Sequence, residues 1–317
     1  MDKRALTPKQ VSEYTRIAYY YYKEGLTQGQ IGENLKMSRQ RINRILYECV
    51  EQGIVQITIK NTDRDHLELE GKIKKKYGLK DIRIIDNVGE ENIYRDLGIA
   101  AGEYLASIIQ NGDIIGLSRG RTMAAVAEYM PPVHKKDLFV AQLLGSRNEE
   151  QKNTAAAEIV HDMAKKLNAK KCMLFTPLVV SSAELKKSLC KEPQFRESYK
   201  LIKSCTISMV SIGAEEAQNN INRLIKNINP DENIAEVKQK VAGEVITYFM
   251  DKDGQPVEYP YRDHLIMVEL NDYLRIPVRL GVAGLPVKAK AIHAALRGKY
   301  INILIVDKKT ALILENL

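Results

Sequence analysis

The chain has 317 residues, 44% of them hydrophobic, enough for about two domains with ordinary cores. A formal net charge of +8 favours an acidic partner such as nucleic acid. No apolar run is long enough to cross a bilayer and no N-terminal signal pattern stands out, so a membrane role is excluded and a cytoplasmic location is expected.

The first helical stretch carries Tyr19 to Tyr22, which cannot all face one way. Some should pack against a following helix and others lie at a subunit contact. Base stacking is the weaker reading, because stacking platforms serve single strands. Residues 26–57 then read as a helix, a tight turn, a second helix with an arginine-rich start, and a short strand. Thr27 is placed to cap the first helix, with Ile31 and Leu35 on one face. Ser38 caps the second, where Ile42, Ile45, Leu46, Cys49 and Val50 follow the helical period towards a core. Gln40, Arg41, Arg44 and Tyr47 are left outside, and Arg39, near the seam, can swing outward. Gly53 stops the helix, and the alternation over residues 54–59 fits a wing strand.

This is the pattern of a helix-turn-helix that sets its second helix in a DNA major groove. An arginine fork pairs with both guanine acceptors there, and glutamine does the same for adenine. Arg39, Gln40 and Arg41 therefore suit base edges, while Asn43, Arg44 and Lys60 suit phosphates. Thr27, Gln28 and Ser38, at the two helix starts, complete the expected DNA-binding set.

Residues 1–60 make the expected DNA-binding domain and residues 61–80 a linker helix, with Leu67, Leu69 and Ile73 at near-helical spacing. From 81 to 317, short apolar runs alternate with amphipathic stretches. Strands are predicted at 82–85, 113–117, 138–144, 171–175, 206–212, 278–283 and 301–306. Helices are predicted at 93–109, 121–129, 154–167, 288–297 and 307–316. The alternation indicates an α/β domain with a mainly parallel sheet, which binds ligands where strands lead into helices. Several such ends carry suitable chemistry. In GLSRGRTM, Gly116 and Gly120 allow tight turns, Ser118, Thr122 and free helix N–H groups suit an anion, and Arg119 and Arg121 add charge. Gly145, Ser146 and Arg147 follow the next strand, Gly213 another, and Lys288 stands at a helix start after Gly284. Such a set suits a phosphorylated metabolite. Each position also has a structural reading: a glycine after a strand is commonly just a turn, and Lys288 can be a solvated first-turn residue. Asp251 and the Asp253–Gly254 pair form a turn after an apolar run, and Asp251 could accept from a sugar hydroxyl. Four scattered cysteines without a CxxC imply reduced thiols, and five distant histidines give no metal spacing. Neither a metal nor a cofactor is expected.

The ordered set of motifs resembles the SorC-type family of bacterial sugar-responsive transcriptional regulators over nearly the whole length. The carriers are GLTQGQIGENLKMSRQRINRILYECVEQGIVQI from Gly25, GLSRGRT, QLLGS (142–146), PLVVSSAELKKSL (177–189), VSIG (210–213), FMDKDG (249–254), GVAGLPVKAKAI (281–292) and the segment 294–311. The resemblance implies a winged helix-turn-helix joined to a Rossmann-like effector domain related to sugar-phosphate isomerases and aminosugar-phosphate deaminases. It further implies a phosphorylated-sugar effector, a double-stranded operator, and a homo-oligomer, dimer or tetramer. By position it makes Ser118, Gly120, Thr122, Asp251 and Lys288 effector contacts. Three positions depart from the pattern. Arg119 replaces a frequent tryptophan, and Leu285 stands where a second glycine is common. Leu144 occupies the place of a lysine that links ligand in the deoxyribonucleoside-responsive branch, which removes a Schiff base and makes deoxyribose phosphate a poor candidate.

Two enzyme readings compete. GLSRG is formally a GxSxG nucleophile elbow, but the only late histidine, His293, falls among Ile292, Ala294 and Ala295 inside a predicted helix. A retained isomerase or deaminase would need an acid–base pair near the phosphate loop, and no carboxylate spacing makes that case. An architectural DNA-binding protein would not need the large α/β domain. The expected function is therefore regulation of a carbohydrate-metabolism operon by a non-enzyme.

Overall fold

The computed structural model describes residues 6–56, 64–86, 89–147 and 154–317. Its chain divides into two compact units, Met1–Arg64 and Asp65–Leu317.

Among the described residues, three helices make the first unit: α1 (Pro8–Tyr22), α2 (Gln28–Leu35) and α3 (Arg39–Glu51). Thr7 and Thr27 each close a reciprocal capping box with the glutamine three residues on, satisfying donors that a helix start leaves open. Ser38 caps α3 by accepting the Arg41 N–H. Between α2 and α3 the chain reverses through Lys36 at φ +54°, and Met37 N–H returns to the Gly32 carbonyl at 2.8 Å. A Cβ at Gly32 would stand 2.6 Å from the Met37 oxygen, so only glycine lets the two helices turn this closely. Tyr14, Ile17, Ile31, Ile42, Ile45, Leu46 and Cys49 fill the core between the helices. Val50, expected inside, is 40% exposed; Leu46 and Cys49 already fill the space beneath that turn of α3. Tyr20 and Tyr21 lie partly against the core, whereas Tyr19 and Tyr22 are exposed. No strand forms over Ile54–Gln56, and the rest of the expected wing, with Lys60, lies outside the described residues.

The second unit takes all but the first residue of α4 (Arg64–Tyr77), which is built into its core through Leu69 and Ile73, while Leu67 is exposed. Then follow β1 (Asp81–Ile85), α5 (Ile93–Ile108), β2 (Ile114–Leu117), α6 (Arg121–Tyr129), β3 (Phe139–Gln142), α7 (Ala156–Leu167) and β4 (Lys170–Cys172). Next come α8 (Ala183–Leu189), α9 (Pro193–Lys203), β5 (Ile207–Ser211), α10 (Glu215–Lys226), α11 (Ala235–Lys240) and the hairpin β6 (Gly243–Val245) and β7 (Tyr248–Met250). The chain ends with α12 (Leu270–Leu274), β8 (Val278–Val282), α13 (Ala289–Arg297), β9 (Ile303–Asp307) and α14 (Lys308–Asn316).

Seven strands form one parallel sheet in the order β1-β9-β8-β5-β2-β3-β4. Its apolar runs are continuous because both faces are covered. Along β9, Ile303 and Ile305 join the cluster made with α5, α6 and α7. Leu304 and Val306 join the opposite cluster, with α4, α9, α10, α13 and α14. Burying each such side chain contributes about 1.5–3 kcal/mol, and the two-residue alternation makes one strand hold both layers.

The strand order places the site. From β2 the chain winds outward through β3 to β4, and β5 then returns to the other side of β2, followed by β8 and β9. Winding reverses between β2 and β5. A sheet of this kind opens a crevice at such a reversal, beyond the carboxyl ends of the strands.

Candidate functional site

On the first unit, α3 exposes Arg39, Gln40, Arg41, Asn43, Arg44 and Tyr47 along one side. Arg41 lies 3.7 Å from Glu13 of α1, and Arg44 lies 3.5 Å from Glu48 one turn on. Exposed pairs of this kind contribute about 0–1 kcal/mol, so a nucleic-acid phosphate can displace either acid. Gln28 donates to Asn43 at 3.1 Å, which ties the start of α2 to α3. Glu48 is held by the Tyr14 hydroxyl, and burial together with that carboxylate raises the Tyr14 pKa to about 12, so the phenol remains a donor. Thr27 and Ser38 serve as helix caps.

In the second unit the loops after β2, β5 and β8 converge on a cavity of about 460 Å³, within the range of small-molecule sites. Its first wall is the β2–α6 loop. Gly120 there adopts φ +105° and ψ 171°, a region essentially reserved for glycine. Its N–H donates to the Thr154 carbonyl at 3.1 Å. No side chain caps α6, and Gly120, Arg121 and Thr122 at its start line the cavity. Backbone N–H groups at such an end suit an anion. The Arg121 guanidinium lies 4.7 Å from the centre of the Tyr94 ring, an arrangement that holds the charge at the cavity wall.

The second wall comes from the end of β5. Ser211 N–H donates to the Ser118 hydroxyl at 3.2 Å, and the Ser211 hydroxyl donates to the Arg119 carbonyl at 3.0 Å. These bonds clamp the β2 and β5 loops together. Gly213 pairs in both directions with Glu244 of β6, so the hairpin is fastened to the sheet and brings a carboxylate to the cavity. Asn220 of α10 donates to that carboxylate at 2.6 Å. Lys288 closes the third side, its ammonium 3.2 Å from the Ile212 carbonyl. Among the described residues the lining holds five cationic side chains, from Arg119, Arg121, Arg147, Arg223 and Lys288, and one carboxylate. That balance suits a ligand with an anionic group and some hydrogen-bond donors.

Of the residues singled out in the sequence, Arg119, Gly120, Arg121, Thr122, Arg147, Gly213 and Lys288 meet here. Lys288 belongs to a short 3-10 turn, Pro286–Lys288, that precedes α13. Others are engaged elsewhere. Ser118 is only 3% exposed and its hydroxyl serves the Ser211 clamp. Gly145 donates to the Ile266 carbonyl, and a Cβ there would meet the Pro177 oxygen at 2.5 Å. Ser146 bridges Pro177 and accepts from the Gln142 amide. Leu144 is fully buried. Asp251 accepts the N–H groups of Asp253 and Gln255, which makes the turn at Gly254, and it borders a different cavity beside Lys240 and Lys252. Tyr94, Thr154, Ser211, Asn220, Arg223 and Glu244 were not anticipated. Asn220 and Arg223, three apart on a helix, carried a readable signal; Glu244 carried none.

The hydrolase reading loses its pair, because Ser118 is engaged by Ser211 while His293 on α13 lies 2.7 Å from the Tyr77 hydroxyl. Among the described residues no metal-binding cluster of acids, histidines and cysteines occurs, and no helix is long and apolar enough to span a membrane.

A family model for a sugar-binding domain matches residues 63–315. The chain is 32% identical over 302 residues to the deoxyribonucleoside regulator of Bacillus subtilis (strain 168), covering 94% of this chain and 96% of that protein. It is 29% identical over 299 residues to the transcriptional regulator LsrR of Klebsiella pneumoniae, covering 93% and 90%. The crystal structure of the full-length sorbitol operon regulator SorC from Klebsiella pneumoniae matches with a TM-score of 0.73 at 24% identity, over 96% of this chain and 98% of that one. That last likeness is one of fold.

Proposed function

This chain belongs to the SorC-type family of sugar-binding transcriptional regulators, and we propose that it controls a carbohydrate-metabolism operon in response to a phosphorylated sugar. It acts as a regulator and not as an enzyme. The observation that carries the effector class is the cavity at the winding reversal, with five cations among the described residues and the uncapped start of α6 around one space. An isolated anion would use only part of that lining. A sugar phosphate also offers hydroxyls to Glu244, Asn220 and Ser211.

The first unit supplies the DNA-reading part. In this reading α2 and α3 form a winged helix-turn-helix, with Arg39, Gln40 and Arg41 at base edges and Asn43 and Arg44 at phosphates. Thr27, Gln28 and Ser38 stand at the helix starts, where backbone N–H groups also face phosphate. The chain works as a homo-oligomer in the cytoplasm, and paired first units contact half-sites one helical turn, or a multiple of it, apart. Effector binds one subunit arrangement better than another and shifts the DNA-competent population, a coupling of about 1–3 kcal/mol.

The test is to screen phosphorylated sugars for an effect on binding of the purified protein to the DNA upstream of its own operon. Inorganic phosphate and the unphosphorylated sugars serve as controls. One sugar phosphate should change the apparent affinity where the controls do not. A protein that prefers no duplex over random competitor, with or without these compounds, would refute the reading.

A further inference from the structure

One loop beside the cavity is built against the conformational preference of its own residue. β8 ends at Val282, and the chain reaches Lys288 through Ala283, Gly284, Leu285 and the turn Pro286–Lys288. Leu285 stands at φ +85° and ψ 132°. A Cβ collides with the backbone in this region, so a leucine stays there only when its surroundings hold it.

The holding group is Asp307, at the end of β9 and 2% exposed. Its Oδ2 accepts the Leu285 N–H at 2.8 Å and the Thr310 hydroxyl at 2.6 Å. Its Oδ1 accepts the Thr310 N–H at 3.0 Å and so caps α14. A Cβ added at Gly284 would lie 2.7 Å from the same Oδ2, so carboxylate and loop touch at two consecutive residues. Three donors on a buried carboxylate make short, charge-assisted bonds. Three residues past Leu285, the Lys288 ammonium reaches the Ile212 carbonyl at the cavity.

We infer that Asp307 is a positioning residue for the effector cavity: by pinning the strained Gly284–Leu285 corner it fixes where Lys288 enters. Asp307 does not line the cavity and acts only through the loop. The inference rests on the cavity being the effector site.

The test uses the full chain with inorganic phosphate as the probe, its dissociation constant measured by calorimetry on folded protein. Lys288→Glu reports on the cavity itself. Asp307→Asn keeps the shape but offers one acceptor oxygen where the cap and the loop need two. It should raise the phosphate dissociation constant at least tenfold. Adding Leu285→Gly to that variant should recover most of the loss, because glycine holds this conformation unaided. Loss of the α14 cap alone would lower the melting temperature with no such rescue. Leu285→Pro leaves the Asp307 cap intact and serves if Asp307→Asn fails to fold. Its φ is locked near −65° and its N–H is gone, so phosphate binding should fall as far as in Lys288→Glu. If Lys288→Glu abolishes binding while Asp307→Asn or Leu285→Pro binds like the wild type, the positioning role is wrong and the cavity reading stands. Absent binding by the wild type, or binding untouched by Lys288→Glu, overturns the cavity reading and this inference with it.

Discussion

Gly120→Ala tests whether the shape of the β2–α6 loop is set by backbone conformation. An added Cβ would meet only the Ser211 Oγ at 3.7 Å, an ordinary contact, so sterics against neighbours cost nothing. The cost lies in φ +105° and ψ 171°. Holding alanine there costs about 1–3 kcal/mol and its stiffer unfolded chain returns roughly 0.4–1 kcal/mol, so a mid-range cost of about 2 kcal/mol leaves about 1–2 kcal/mol. For a unit of this size that is a fall in Tm of about 2–8 °C, at about 2–4 °C per kcal/mol. If the loop relaxes instead, the stability loss shrinks and the Gly120–Thr154 bond and the start of α6 move, so ligand affinity falls. Urea unfolding, read as a midpoint shift at constant slope, and ligand titration together should account for the whole penalty. Gly71→Ala is the control: Gly71 lies within α4 with open space around its Cβ position, and alanine there should gain about 0.5–1 kcal/mol. A Gly120→Ala protein with unchanged midpoint and unchanged affinity would refute the argument.

Arg41→Ala should weaken specific operator binding by about 1–3 kcal/mol while leaving effector affinity unchanged, measured by fluorescence anisotropy on operator and random duplexes. Arg44→Ala should weaken binding to all sequences alike and reduce the slope of log affinity against log salt by about one. Lys288→Glu should abolish the effector response with operator binding kept, since it reverses one of the five charges of the cavity; an unchanged response would remove Lys288 from the site. His293 has its pKa lowered by burial first and by the nearby Arg297 and Lys76 charges next, with Asp253 opposing. The unfolded chain therefore takes up the proton at higher pH than the folded one. Stability is full above the unfolded value of about 6.5 and declines as pH falls through it towards the lower folded value. In His293→Gln that part of the decline in the urea midpoint should be missing.

The first unit was legible because its signals are local. Thr27 and Ser38 announce helix starts, and Ile42, Ile45, Leu46 and Cys49 repeat with the helical period. The seven strands of the main sheet were equally legible as apolar runs. The hairpin of β6 and β7 was not, since its two-residue turn is Ile246–Thr247, both at positive φ where asparagine and glycine are the usual signal. Both residues are buried, and that burial offsets a backbone cost no local pattern shows. Leu285 is the converse: the family resemblance marked it as a departure from a common glycine, and the structure shows the positive φ that makes the departure costly.

By itself the sequence determined the seven strands of the main sheet, the capped helices of the first unit, the exposed arginines of α3 and the turn at Gly120, all consequences of neighbours within a few residues; α8 to α12 were not anticipated, and Gly116, expected in a tight turn, lies within β2. Only the tertiary structure decided that the Gly120 turn shares a cavity with Arg223, Glu244 and Lys288, and that Ser118 and Asp251 are spent on a clamp and a turn. The reason is that strand order is chosen by competition among long-range apolar contacts, and the place where winding reverses follows from that order and not from any single segment.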